Sequence, residues 1–341
     1  MTRPIDISIV IPVYNASGTI TGTVGSIISQ NFGSYEVILV NDGSTDDSGA
    51  VCDRLALMYD AVRCIHTENR GVSAARNEGI HAATGKYVMF ADSDDLLKEG
   101  ALDNLYHDDC DFVLGGFEKV SRSRTLSYIP VLPEVYEGNE AMCRFFDETI
   151  SEDNCYLLNS PCFKLFRRSV IEEHALGFVE GLSYAEDKIF VMSFLAHAQK
   201  VRTVDQIVYS YILQDVSLSS DLVSDRHISQ VFLLLSVYSP LLKRLCAIYK
   251  DSSMLARLYH NDLVSRYVCR ILTVFATRRS SLLSKDAIAL LYDYMKADKA
   301  LTLFSVRLGQ IPNLLLFRLG SPVFAYAFYK SSSSLMSLFR R

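Results

Sequence analysis

The chain has 341 residues, 49% of them hydrophobic and 21% charged, which excludes a disordered or low-complexity protein and leaves room for two folded units. The formal charge of −5 is unevenly spread: Arg226–Arg341 carries 17 Lys and Arg against 5 Asp and Glu, net +12, whereas the residues before it are net −17. Eight cysteines (52, 64, 110, 143, 155, 162, 246 and 269) without CxxC spacing speak against a zinc site or a disulfide framework and for reduced, buried thiols.

The first apolar run, Ile7–Val13, is short, contains Pro12 and precedes no small-residue cleavage pattern, so it predicts a strand rather than a signal peptide, in a cytoplasmic protein. Further strands are predicted at Glu36–Asn41, Val62–Thr67, Lys86–Ala91 and Asp111–Gly116. They alternate with helix-period stretches, the rhythm of a parallel sheet with crossover helices. Ile20, Val24, Ile27 and Ile28 share one helical face, although Gly18, Gly22 and Gly25 weaken that helix. Ser44 followed by Asp47 reads as a capping box, with Val51, Leu55 and Met58 on the buried side of the helix it opens.

From Ser121 to Asp215 the pattern is mixed: a polar loop (Ser121–Ser127), a proline-bounded segment (Pro130–Pro133), then helices. Beyond it, Ile228–Tyr249, Leu255–Phe275 and Leu282–Met295 are apolar, helix-period and rich in Arg. The expected division is an α/β domain over 1–225 and a helical, basic C-terminal region over 226–341. A spanning helix is not expected, because the best candidate, Ile311–Tyr329, carries Pro312, Asn313, Arg318 and Pro322.

In open α/β sheets ligands bind beyond the carboxyl ends of the strands. Here those ends read Pro12-Val13-Tyr14-Asn15, Asn41-Asp42-Gly43-Ser44, Glu68-Asn69-Arg70-Gly71 and Asp92-Ser93-Asp94-Asp95. On an extended segment Asp92 and Asp94 share a face, and such a pair can hold one hard divalent cation, Mg²⁺ or Mn²⁺, together with a substrate diphosphate. Asp42 fits either an ordinary turn or a carboxylate that accepts a hydrogen bond from a nucleobase, with Tyr14 against the ring. Arg76 fits either a diphosphate contact or a satisfied surface. Glu186-Asp187 precedes Phe190, Val191, Phe194, Leu195 and Ala198, which places the pair at a helix N-terminus, where acidic residues are common and the dipole favours the ionised form.

Pro12-Val13-Tyr14-Asn15, Val40-Asn41-Asp42-Gly43-Ser44-Thr45-Asp46, Asn69-Arg70-Gly71-Val72-Ser73-Ala74-Ala75-Arg76-Asn77-Glu78-Gly79 and Phe90-Ala91-Asp92-Ser93-Asp94-Asp95, in that order, resemble the family 2 glycosyltransferases of the GT-A fold. The resemblance covers about residues 5–215, with Pro161–Phe166 and Gly181–Asp187 similar to the acceptor-side region expected within 121–215. It implies a GT-A type mostly parallel sheet with helices on both faces, and an inverting enzyme that uses Mn²⁺ or Mg²⁺ and one carboxylate base. By resemblance, the donor is a nucleotide sugar, with uracil the implied base held by Asp42. Pro12, Val13, Tyr14, Asn15, Gly71, Arg76 and Ser93 belong to the donor site. Asp92 lies near ribose and metal, Asp94 is the direct metal ligand, and in the pair Glu186-Asp187 the second residue is the general base. The chain departs from the pattern in its glycine-rich first helix and in lacking a third ligand near Tyr209–Ser219; His197 and His227 read as ordinary histidines.

The implied acceptor is a hydroxyl of a glycan or lipid-linked glycan in surface polysaccharide synthesis. The basic C-terminal region, with Leu308–Tyr329 and the tail Leu335–Arg341, predicts attachment to the inner face of the cell membrane, or else packing against the catalytic domain or a second subunit. No nucleic-acid motif accompanies the basic residues. Nucleotidyl transfer, or a silent nucleotide-sugar or glycan-binding module, would use the same sheet without Asp187 as a base.

Overall fold

Strands covered on both faces read as continuous apolar runs, and the leading strands follow that rule. β1 (Ile7–Val13) is buried along its whole length and β2 (Tyr35–Asp42) along all but its first residue. β3 (Val62–Thr67) flanks β2 and β4 (Tyr87–Phe90) flanks β1, all four in parallel register. The crossovers are α1 (Ile20–Ile28), α2 (Ser48–Met58) and α3 (Val72–Ala82). The computed structural model describes residues 4–130, 134–150, 156–213, 226–253 and 255.

The chain continues through β5 (Leu96–Leu97), α4 (Ala101–Leu105), β6 (Phe112–Val120), β7 (Thr125–Tyr128), β8 (Val135–Glu137) and α5 (Asn139–Thr149). There follow β9 (Lys164–Arg167), α6 (Arg168–Glu173), α7 (Glu186–Leu195), β10 (Lys200–Ile212) and α8 (Arg226–Ile248). Among the described residues these strands form one sheet in the order β3-β2-β1-β4-β9-β6-β10-β5, with β7 on β6 and β8 on β10. β6 and β10 are parallel to each other, and β9 is inserted antiparallel between β4 and β6. The result is a mixed α/β fold whose central sheet is mostly parallel.

Several local expectations change. Ser44 does not cap α2: its Oγ accepts the Asn15 N–H (3.1 Å) and its own N–H donates to Asn41 Oδ1 (3.2 Å). Asp47 occupies the N-cap position without a side-chain bond, and Asp46 Oδ1 accepts the Ser48 N–H at 3.0 Å instead. The buried face of α2 is Ser48, Val51, Cys52 and Leu55, while Met58, the last helical residue, is 67% exposed. The polar stretch 121–127 is half strand, because β7 returns antiparallel along β6 as a hairpin. β9 and β10 replace helix where mixed structure was expected; β10 carries register shifts between Thr203 and Ile207 and between Ile207 and Tyr209, which break the two-residue alternation by which strands are recognised.

Contacts divide the chain into Met1–Ser217 with Arg244–Ser252, and Leu218–Lys243 with Ser253–Arg341. In the first unit Tyr249 packs on Phe146 and Ser252 Oγ donates to Asp147. In the second, the described part is mainly α8 as far as Lys243, where Leu234, Tyr238 and Leu242 are buried and Pro240 lies inside the helix. No helix among the described residues is long and apolar enough to cross a membrane. The predicted helices Leu255–Phe275 (except Leu255) and Leu282–Met295, the segments Leu308–Tyr329 and Leu335–Arg341, and the positions after Leu213 in Tyr209–Ser219 lie outside the described residues.

Candidate active site

The ends of β1 and β2 are laced by short polar side chains. Pro12 and Val13 are buried, and the chain then turns through Asn15 at φ 51, in the left-handed region that asparagine tolerates. Asn15 Oδ1 accepts the Thr45 N–H (2.8 Å), and Ala16 N–H donates to Ser48 Oγ (2.8 Å). Tyr14 stays 50% exposed on this rim, open to a flat ligand. Asp42 is buried and spends an oxygen on each of two loop amides: Oδ1 accepts Arg70 N–H (2.9 Å) and Oδ2 accepts Gly71 N–H (2.8 Å). Its first role is therefore to pin the β3–α3 loop; Oδ1 also accepts the Thr67 hydroxyl (3.4 Å), and Oδ2 keeps a second lone pair beyond the Gly71 contact. Gly71, at φ 93, opens α3.

Arg76 in α3 is 3% exposed and is committed to two carboxylates rather than to a surface: Nη2 donates to Asp92 Oδ1 (2.9 Å) and Nη1 to Asp187 Oδ1 (2.6 Å). Its guanidinium lies 5.2 Å from the centre of the Phe178 ring, which stacks on Phe190 of α7. Asn77 beside it grips Phe178, accepting its N–H at 2.7 Å and donating to its carbonyl at 2.9 Å. Burial pulls the pKa of the guanidinium down, but Asp187 and then Asp92 more than offset it, so the net shift is upward.

Asp187 and Glu186 stand in the first turn of α7, behind Ala185 in the left-handed conformation. Burial pushes the Asp187 carboxyl up to about 7, against the pull of Arg76 and with the help of the Glu186 and Asp92 charges. Burial also raises Glu186. Desolvation thus outweighs the helix dipole that the sequence favours. Lys164, fully buried on β9, donates to the carbonyls of Ser160 (2.6 Å) and Cys162 (3.2 Å); burial drives its pKa well down, opposed by Cys162 and Asp187.

Asp92, Ser93 and Asp94 are half-buried in a turn after β4, closed by Asp95 N–H on the Asp92 carbonyl (3.3 Å), rather than on an extended segment. The donor set fits a hard divalent cation, since Asp92 keeps Oδ2 outside the Arg76 contact and Asp94 adds a second carboxylate. Two residues without a role in the sequence reading fix this turn. Tyr209 Oη accepts the Asp92 N–H (3.0 Å) and donates to Asp95 Oδ2 (2.8 Å), while Asp95 Oδ1 accepts the Ile212 N–H (2.8 Å). Burial, then the Asp92 charge, raises Asp95 to about 8. The β-branched and aromatic run Lys200–Ile212 is the signal by which strand β10, and so Tyr209, is recognisable. His197 packs its ring on His174, 3.8 Å between centres.

Comparison with known proteins places this geometry in context. The family model described as glycosyl transferase family 2 matches residues 8–175. Over 239 residues the chain is 31% identical to glycosyltransferase GlyG of Streptococcus pneumoniae serotype 4, covering 66% of this chain and 78% of GlyG. Over 275 residues it is 26% identical to the poly(ribitol-phosphate) beta-N-acetylglucosaminyltransferase TarP of Staphylococcus aureus, covering 78% of this chain and 79% of TarP. The crystal structure of S. aureus TarS 1–349 in complex with UDP-GlcNAc shares the fold, with TM-score 0.68, 18% identity, and coverage of 98% of this chain and 92% of that one.

Proposed function

The chain belongs to glycosyl transferase family 2, and from that premise we propose that it is an inverting enzyme moving a sugar from a UDP-sugar to a hydroxyl of a cell-surface polymer. That it is a glycosyltransferase follows from the family; the donor, acceptor and residue roles are our reading. TarP, by its name, transfers N-acetylglucosamine to a poly(ribitol-phosphate), which supports a surface glycan or polyol-phosphate acceptor and favours glycosyl over nucleotidyl transfer.

The observation that carries the reading is the shared guanidinium: Arg76 holds Asp92 of the metal turn and Asp187 of α7 in one buried cluster. In the proposed reaction the acceptor oxygen bonds to the anomeric carbon as the bond to the diphosphate breaks, and UDP leaves. Asp187 takes the hydroxyl proton on Oδ2, because Oδ1 is engaged by Arg76. A carboxyl raised to about 7 is a stronger base than an ordinary one and is still substantially ionised near neutrality. Asp94 and Asp92 would hold Mn²⁺ or Mg²⁺, which when bound neutralises charge on the departing diphosphate. Asp42 and Tyr14 receive the uracil, and Pro12, Val13, Asn15, Gly71 and Ser93 shape the donor cleft.

The test is UDP release from a panel of UDP-sugars with Mn²⁺ and teichoic-type or glycan acceptors. Acceptor-stimulated release from at least one donor, with the opposite anomeric configuration in the product, is the expected result. Retention of the donor's configuration would overturn the inverting assignment.

A further inference from the structure

On the far side of β2 from β1, away from the metal turn, α2 and the edge strand β3 bring together a group that the proposed transfer does not use. Cys64 and His66, two apart on β3, share one face, and Asp53 reaches them from α2. His66 Nε2 lies 2.9 Å from Asp53 Oδ1 and 3.5 Å from Cys64 Sγ, and the three candidate ligand atoms all fall within 4.8 Å of one another.

We propose that Asp53, Cys64 and His66 bind a borderline divalent ion, Zn²⁺ by chemistry, at a site separate from the active-site carboxylates. With bonds of about 2.0–2.2 Å to N and O and about 2.3 Å to S, tetrahedral ligands stand roughly 3.3–3.6 Å apart. The sulfur–nitrogen distance already has that value, and the Asp53 contact needs only a small opening. A mixed S, N, O set favours Zn²⁺ over Mg²⁺ or Mn²⁺, which prefer oxygen alone. The side chains of His66 and Asp53 are 46% and 59% exposed, so the ion has an open path and water completes the fourth position. Without an ion, the hydrogen bond to Cys52, buried in α2, and then burial hold the Cys64 thiol protonated, so the ion displaces that proton as it binds. The cysteine spacing hides this site, because its ligands come from a helix and a strand rather than from one CxxC loop.

His66 also connects the site to the donor loops. Its Nδ1 meets Asn41 Nδ2 at 2.9 Å, and Asn41 Oδ1 accepts the Ser44 N–H. With the ion on Nε2, Nδ1 carries the ring proton and Asn41 turns its oxygen to it, releasing the Ser44 N–H.

Titration of the reduced, full-length chain with Co²⁺, a spectroscopic stand-in for Zn²⁺, tests the site without reference to activity. One equivalent should give a near-ultraviolet thiolate-to-cobalt charge-transfer band, which Zn²⁺ then displaces. Cys64→Ser should lose the band, and His66→Gln or Asp53→Asn should weaken binding at least about tenfold. Asp94→Ala and Cys246→Ser should keep it, since the first removes only an oxygen donor and the second a thiol elsewhere. Circular dichroism melts confirm that each variant is folded. A wild-type chain without the band, or a folded Cys64→Ser chain that retains it, overturns the proposal and leaves a surface His–Asp pair.

Discussion

Asp187 Oδ1 sits 2.6 Å from Arg76 Nη1, although the two residues are 111 positions apart in the sequence. The same guanidinium holds Asp92, so one buried cation sets the distance between the turn after β4 and the start of α7. Removing that cation leaves two carboxylates without their compensating charge, costing about 3–5 kcal/mol.

Arg76→Met is therefore expected to destabilise the fold and to abolish transfer. Arg76→Lys keeps the charge but not the fork, so it should fold better than Arg76→Met and still lose most activity. Urea unfolding and initial rates on the same preparations check both statements; wild-type turnover in Arg76→Lys would show that the two-pronged contact is dispensable.

Asp187→Asn should bind donor within about twofold of wild type and lose turnover by roughly 10²–10⁴-fold, the range for a positioned base. Calorimetry with the donor and single-turnover assays separate the two effects.

The pH profile follows from the raised Asp187 carboxyl. The base acts ionised, so kcat/KM should fall as pH drops through about 7, in proportion to the ionised fraction. For stability the sign is opposite. A folded pKa above the unfolded one favours the protonated fold, a contribution complete below the ordinary carboxylate range and lost as pH rises through about 7. An acidic limb with a midpoint near 4 would remove burial from the account.

Asp94→Ala should abolish Mn²⁺-dependent donor binding while leaving the chain folded, because Asp94 is half-buried rather than in the core. Unchanged calorimetric affinity with Mn²⁺ present would take Asp94 out of the metal site.

Gly79 tests the α3–β1 interface. A Cβ there would stand 2.1 Å from Val10 Cγ1, on a strand residue with no exposed surface. Overpacking costs about 1–3 kcal/mol against a helix gain of up to about 1 kcal/mol, so Gly79→Ala should be destabilising by roughly 1–2 kcal/mol. In a Val10→Ala background the added cost of Gly79→Ala should largely vanish, and chemical denaturation of the four proteins measures that coupling.

The parallel half of the sheet was legible because strands buried on both faces leave unbroken apolar runs, and β1 begins and ends where such a run does; β3, a less buried edge strand, also has the predicted bounds. The acids at the strand ends were legible for the same reason, since polar residues there stand out against the runs. Partnerships were not. Nothing local in the sequence joins Arg76 to Asp187, or Tyr209 to Asp95, because their contacts depend on how β9 and β10 insert beside β4 and β6. The bulges in β10 hid the strand that carries Tyr209, and nothing in the sequence showed that the two terminal nitrogens of Arg76 meet carboxylates.

The Tyr209 hydroxyl, bonded to both the Asp92 amide and the Asp95 carboxylate, also limits how such enzymes can be recombined. A chimera that joins residues before about 95 to another enzyme's later half inherits its turn from one parent and the support for that turn from the other. Crossovers should then succeed only where the incoming half brings a tyrosine at the position of Tyr209 and an acid at that of Asp187, so that exchanging acceptor preference means transplanting β10 and α7 together.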